Sequence, residues 1–138
     1  MGYRSSVAIG MSIQSFRDLW EREKEYVTKR GSLLDSMTKF VEREHGTVAM
    51  FWDDIEWHRL PTARRLEDFL SEIINERTRS YTFLRIGENL DDVEEDRYKG
   101  SEEEEIGVLE IQRKVVLADM NDTDKQWNNP DFNSLENL

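Results

Sequence analysis

The residues best able to do chemistry in this chain stand together at Asp53-Asp54-Ile55-Glu56-Trp57-His58. On a continuing strand, Asp54, Glu56 and His58 project from one face. Two carboxylates and an imidazole in a row are the donor types that hold a divalent metal or move protons. Neighbours on one face of a strand are about 6–7 Å apart, which is wide for a single ion. The competing reading is a solvated strand end with Ile55 and Trp57 turned inward, and the incomplete donor set favours it. His45 and His58 are the only histidines, neither lies in a Ser or Cys nucleophile pattern, and the glycines form no phosphate-binding loop. The sequence therefore points to no enzyme, no cofactor and no metal site.

A second group is denser and purely acidic. Residues 88–105 hold ten acids and two bases, a net charge of −8, and residues 119–138 add −4 to a chain total of −11. The rest of the chain is nearly neutral, so the acid reads as an attachment to a self-sufficient body. Asp92, Glu94 and Asp96 with Glu103 faintly echo a calcium loop. Arg97 stands where such a loop needs glycine, and Lys99 where it needs an apolar anchor. Three readings remain for the acidic stretch: a solvated spacer, weak cation binding, or a surface for a basic partner. The third includes mimicry of nucleic-acid charge, because B-DNA carries a phosphate about every 1.7 Å of axis. Its candidate contact residues are Glu94, Glu95, Asp96, Glu102, Glu103, Glu104 and Glu105. Trp127 joins them, an isolated aromatic in an acidic segment that either docks on its own body or anchors a partner. Direct contact of this face with nucleic acid is disfavoured, since carboxylates would meet phosphates.

The elements that must position these groups follow from hydrophobic periodicity. Tyr3 to Met11 alternates as a strand. Ser15 and Asp18 form a capping box ahead of a first helix carrying Phe16, Leu19, Trp20, Tyr26 and Val27. Ser32 and Asp35 repeat the cap, and Leu33, Leu34, Met37, Phe40 and Val41 predict a second helix stopped by Gly46. Thr47 to Trp52 is a buried strand that runs on toward Trp57. Pro61 opens a third helix with Leu66, Phe69, Leu70, Ile73 and Ile74 as its inner face. Tyr81 to Ile86 and Ile106 to Ala118 read as the last two strands, with 88–105 as the long acidic loop of their β-hairpin. The expected fold is α+β in the order β-α-α-β-α-β-β. It is a mostly antiparallel four-stranded sheet with three helices on one face.

Length and composition agree with a single domain over residues 1–118, followed by a polar, loosely held tail over 119–138. Aromatic residues supply much of the core in a chain with only 37% hydrophobic residues. The lack of cysteine excludes disulfides and leans toward the cytoplasm. No apolar run is long enough to cross a membrane, and residues 1–4 lack the apolar core of a signal peptide. Met1-Gly2 with Ser6 fits a loose myristoylation pattern, discounted because Tyr3 to Met11 belongs to a core strand.

Several stretches resemble a group of small acidic proteins encoded by bacteriophages and prophages. They are Tyr3-Arg4-Ser5-Ser6-Val7-Ala8-Ile9, Phe51-Trp52-Asp53-Asp54-Ile55-Glu56-Trp57, and the run from Phe83 to Glu95. The resemblance implies a phage origin and inhibition of host factors such as restriction, CRISPR or other defence nucleases. It carries over no active-site residue. The leading expectation is a non-enzymatic protein that binds a basic, nucleic-acid-binding host protein. The alternatives are a metal-dependent enzyme using Asp54, Glu56 and His58, with Glu88 as a further ligand, and a structural phage component that self-assembles, with homodimerisation through an open sheet edge.

Overall fold

The computed structural model describes residues 3–29, 32–89, 91–107, 109–111 and 115–117. Its elements are β1 (Ser5–Ser12), α1 (Ile13–Lys29), β2 (Thr38–Glu42), β3 (Thr47–Ile55), α2 (Pro61–Glu76), β4 (Tyr81–Gly87), β5 (Val93–Tyr98), β6 (Leu109–Ile111) and β7 (Val115–Leu117). The α+β class is as expected. The sheet has five antiparallel strands in the order β2-β3-β1-β4-β5, and β6 and β7 form a separate two-stranded ribbon.

β1 lies at the centre of the sheet and is buried on both faces. Val7, Ile9 and Met11 join Val48, Met50 and Trp52 of β3 under the two helices. Phe16 and Leu19 of α1 and Leu66, Phe69 and Ile73 of α2 close that layer. Ala8 points the other way and packs with Phe40, Ala49, Leu84 and Leu109. At Gly10 this second side leaves no room for a side chain unless its neighbour shifts. A Cβ on Gly10 would stand 2.8 Å from the Ile106 side chain, closer than carbon atoms approach. The segment after β5 thus lies across the second face as a cover. Thr82 donates a buried hydrogen bond to the Ile106 carbonyl, and Arg97 donates to the carbonyls of Ile106 and Leu109.

Three expectations are corrected. The capping box at Ser32 and Asp35 forms, but it starts one 3-10 turn, Leu33–Asp35, rather than an α-helix. The chain then enters β2, which pairs with β3 from Thr38 opposite Phe51 to Glu42 opposite Thr47. Phe40 and Val41 face opposite layers, as a strand demands. Among the described residues there are therefore two α-helices rather than three. The start of α1 also moves. Ser12, not Ser15, caps it, its hydroxyl accepting the Ser15 backbone N–H at 3.1 Å.

The third correction concerns 88–105, which is not a hairpin loop. The reversal is confined to the residues between β4 and β5, where Gly87 N–H donates to the Asp92 carbonyl at 2.8 Å. Val93–Tyr98 is then the fifth strand, with Arg85 opposite Glu94 and Phe83 opposite Asp96. Within the predicted strand 106–118, Leu109–Ile111 and Val115–Leu117 pair with each other outside the sheet, and β5 holds the place beside β4 instead. The division at residue 118 and the tail lie outside the described residues.

α2 begins as read, with Pro61 at its first position, and ends at Arg77 in the left-handed conformation, φ 65°. α1 and α2 are joined by Glu23, which is buried and accepts from Arg65 Nε at 2.7 Å and from the Ser32 hydroxyl at 2.7 Å. The Arg65 guanidinium lies over the Tyr26 ring, 3.8 Å from its centre. Among the described residues, no helix is long and apolar enough to cross a membrane.

Candidate partner-binding face

The proposed metal-binding strand does not form. β3 ends at Ile55, and His58 sits in a 3-10 turn, Trp57–Arg59, that turns the chain toward α2. Before that end β3 carries a bulge. Ser5 faces Ile55 while Val7 faces Trp52, and Asp54 takes a positive φ of 53°. Asp54, Glu56 and His58 therefore do not share a strand face. Arg4 approaches both acids instead, 4.0 Å from the Asp54 carboxylate and 3.8 Å from Glu56, and Arg59 adds a contact to Glu56. Glu88, the further ligand considered, accepts the Arg4 backbone N–H. Glu42, Glu44 and His45 bring their ligand atoms together at the β2–β3 turn. Glu42 there accepts the His45 backbone N–H and pairs with its ring. This serves the turn, and exposed acids are common at such places.

The acidic residues divide into two sets. In the first, each carboxylate has a partner within the chain. Arg85 lies buried at the β4–β5 hairpin with only 4% of its side chain exposed, and binds Asp92 at 2.7 Å and Glu94 at 2.6 Å. It also donates to the Ser5 hydroxyl. Tyr3 donates its hydroxyl to Asp92 at 2.6 Å. The Arg85 guanidinium and this hydroxyl hold the Asp92 carboxyl below the usual aspartate range. Glu95 accepts from Arg97, and Asp96 accepts the Tyr81 hydroxyl. Burial, and the hydrogen bond to Asp96, push the Tyr81 phenol above its usual range, so it remains a donor. Glu103 turns inward and accepts the Ser80 backbone N–H at 2.7 Å. The calcium-loop echo dissolves here, because Glu94 and Asp96 lie on an extended strand and Glu103 caps β4.

The second set is Glu102, Glu104 and Glu105, which are exposed. Each lies in the turn between β5 and β6, and the Glu102 backbone N–H is tied to the Thr78 carbonyl. Trp127 lies outside the described residues. The image of a neutral body with a detached acidic arm is thus corrected. Half of the acid is built into the sheet and balanced in part by Arg85 and Arg97, while Glu102, Glu104 and Glu105 remain outward.

Between α2 and β5 the structure forms a groove of about 200 Å³ that the sequence reading did not anticipate. Its floor is Trp57, Leu70, Tyr81 and Phe83, with half-exposed Ile74 on the helix side. Three carboxylates line it: Glu67 from α2, and Glu94 and Asp96 from β5. Glu67 accepts from Trp57 Nε1 at 2.9 Å. His58 and Ser71 are at its rim, and no Lys or Arg is among its described lining residues. The groove between α1 and α2 differs. It also holds acids, but Arg22 pairs there with Glu72 and Arg79 with Asp18. Glu67, Ser71 and Ile74 are at i, i+4 and i+7 of one helix face, which was the available signal for this groove.

No protein-family model, no curated protein and no solved structure matches this chain significantly.

Proposed function

We propose that the chain is a non-enzymatic interaction protein whose acidic side engages a basic surface of a host protein. The sequence resemblance supports a phage origin and action in the host cytoplasm. The observation that carries the reading is the row Glu94-Glu95-Asp96 along β5, continued by exposed Glu102, Glu104 and Glu105. A strand rises about 3.3 Å per residue, and one DNA strand carries a phosphate about every 3.4 Å. Only the three-residue row Glu94-Glu95-Asp96 matches that spacing; with Arg97 the strand Val93–Tyr98 has a net charge of −2, so it offers a short acidic edge. A basic nucleic-acid-binding protein is the natural partner, and screening by salt should weaken the complex.

The test is affinity purification from a bacterial lysate at low and high salt. It compares the native chain with a Glu102→Lys, Glu104→Lys, Glu105→Lys variant. The expected result is a partner that elutes as salt rises, is missing from the variant, and proves to be a nucleic-acid-binding protein. The same partner retained equally by the variant at all salt concentrations would overturn the reading.

A further inference from the structure

We propose that the partner contributes an extended basic segment that adds as a sixth strand to the outer edge of β5 and places Lys or Arg side chains in the groove between β5 and α2. This rests on the interaction reading above and specifies its site. Three observations carry it.

β5 ends the sheet, and among the described residues no strand pairs with its outer edge. Such an edge presents unpaired backbone N–H and C=O groups at strand spacing, the template for strand addition. Its sequence disfavours one obvious occupant. A second copy of β5 in the antiparallel register centred on Glu95 would set Glu94, Glu95 and Asp96 against the same three acids, and like charges directly opposite are destabilising. The edge thus favours a strand of opposite charge.

The groove beside that edge has the matching chemistry. Glu94 and Asp96 share the face of β5 that looks toward α2, and Glu67 faces them from the helix. Glu94 shares Arg85 with Asp92, and Asp96 is held only by a neutral phenol. The lining therefore keeps excess negative charge. The groove between α1 and α2 differs: the chain pairs the acids there with Arg22 and Arg79, whereas here, among the described residues, Arg85 reaches only Glu94 of the three lining carboxylates. Ile74, 42% exposed at the mouth, offers apolar surface for the methylenes of a long basic side chain.

The test uses the full chain and a synthetic octapeptide of alternating Arg and Thr at low salt. Its arms are the same peptide N-methylated at alternate residues, an alternating Glu and Thr peptide, and the protein variant Ile74→Lys. That variant puts a cation at the groove mouth on an exposed helix position, where folding is undisturbed. The expected result is binding of the Arg peptide with protection of backbone amides within Val93–Tyr98. N-methylation and Ile74→Lys should each weaken it at least tenfold, and the Glu peptide should not bind. Equal binding of the N-methylated peptide, or undiminished binding to Ile74→Lys, would overturn strand addition here. If such binding still depended on Glu102, Glu104 and Glu105, the broader acidic reading would survive. No binding of the Arg peptide at all would overturn strand addition, while the acidic reading would still stand or fall with the lysate experiment. A concentration-dependent dimer whose formation protects Val93–Tyr98 would make a second copy the occupant and would also overturn the proposal.

Discussion

Arg85 and Asp92 face each other end to end across the β4–β5 hairpin, with Nη2 2.7 Å from Oδ1 and Nη1 3.2 Å from Oδ2. The guanidinium is buried while the carboxylate is partly open to solvent. One cation thereby holds two acids, Asp92 of the turn and Glu94 of the strand, that lie two residues apart and would otherwise repel each other. Replacing it is a test of whether the edge strand depends on this pair. Arg85→Ala should cost about 2–3 kcal/mol, below the full penalty for breaking a buried pair because the acids are partly solvated. Urea denaturation would measure it, and amide exchange should show β5 loosening more than β1.

The same pair sets a pH dependence. The Asp92 carboxyl is held below its ordinary range in the folded chain by the Arg85 and Tyr3 hydrogen bonds. A depressed carboxyl contributes stability that is present above its unfolded value, near 4, and is lost as pH falls through the folded value. The native chain should therefore have a higher urea midpoint than Asp92→Asn at pH 7. That difference should shrink below about pH 4 and vanish in stronger acid. A difference constant from pH 7 to pH 2 would refute the assignment.

Glu23 is an acid the fold has drawn inside, 2% exposed. Its partners Arg65 and Ser32 come from α2 and the 3-10 turn, so one carboxylate fastens three elements. Glu23→Ala should destabilise by roughly 3 kcal/mol, because it leaves the Arg65 charge without its partner. Combining it with Arg65→Ala should cost less than the sum of the two, by about 1–3 kcal/mol of coupling. Additivity within about 0.5 kcal/mol would show that the contact is incidental.

Gly100 marks the point where the chain leaves β5 and passes against the residues preceding β4. A Cβ there would fall 2.3 Å from the Thr78 carbonyl carbon and 2.4 Å from Arg79 N. Both are backbone atoms that cannot swing aside, so Gly100→Ala should destabilise by about 1–3 kcal/mol or more. The hydrogen bonds from Ser101 and Glu102 to Arg77 and Thr78 should break first, exposing the second face of the sheet. Hydrogen exchange at those amides reads this directly.

Glu102, Glu104 and Glu105 should behave in the opposite way. They are exposed and lie close together in like charge. Changing all three to Gln should leave stability within about 0.5 kcal/mol at physiological salt, or raise it slightly at low salt. Under the proposed function the same variant should lose partner binding. A variant that unfolds would instead assign these acids to the architecture.

The legibility of the chain was uneven for physical reasons. α2 could be read from Pro61 and the stripe Leu66, Phe69, Leu70, Ile73, since each signal is local. Ser32 and Asp35 also announced a helical turn correctly. What followed was misleading, because Leu33, Leu34, Met37, Phe40 and Val41 recur at helical spacing, and pairing of Thr38–Glu42 with β3 overrides that signal. β5 was invisible as a strand. Its Glu94-Glu95-Asp96 has low strand preference, and what holds it is Tyr81 and Arg85 of β4 together with its own Arg97. The acids of the candidate face were legible by composition alone. The groove was not, because Glu67 and Ile74 reach Glu94 and Asp96 only after α2 has packed.

The placement of β1 has a consequence for how the molecule assembles. It precedes every other strand, yet it occupies the middle, with Ser5 set against Ile55 on one flank and Gly87 on the other. β3 can pair with one flank of β1 early, but the other flank stays unpaired until β4, whose Gly87 lies 82 residues beyond Ser5, has been made. Chains whose contacts span such separations fold slowly, since much loop entropy is lost before any reward arrives.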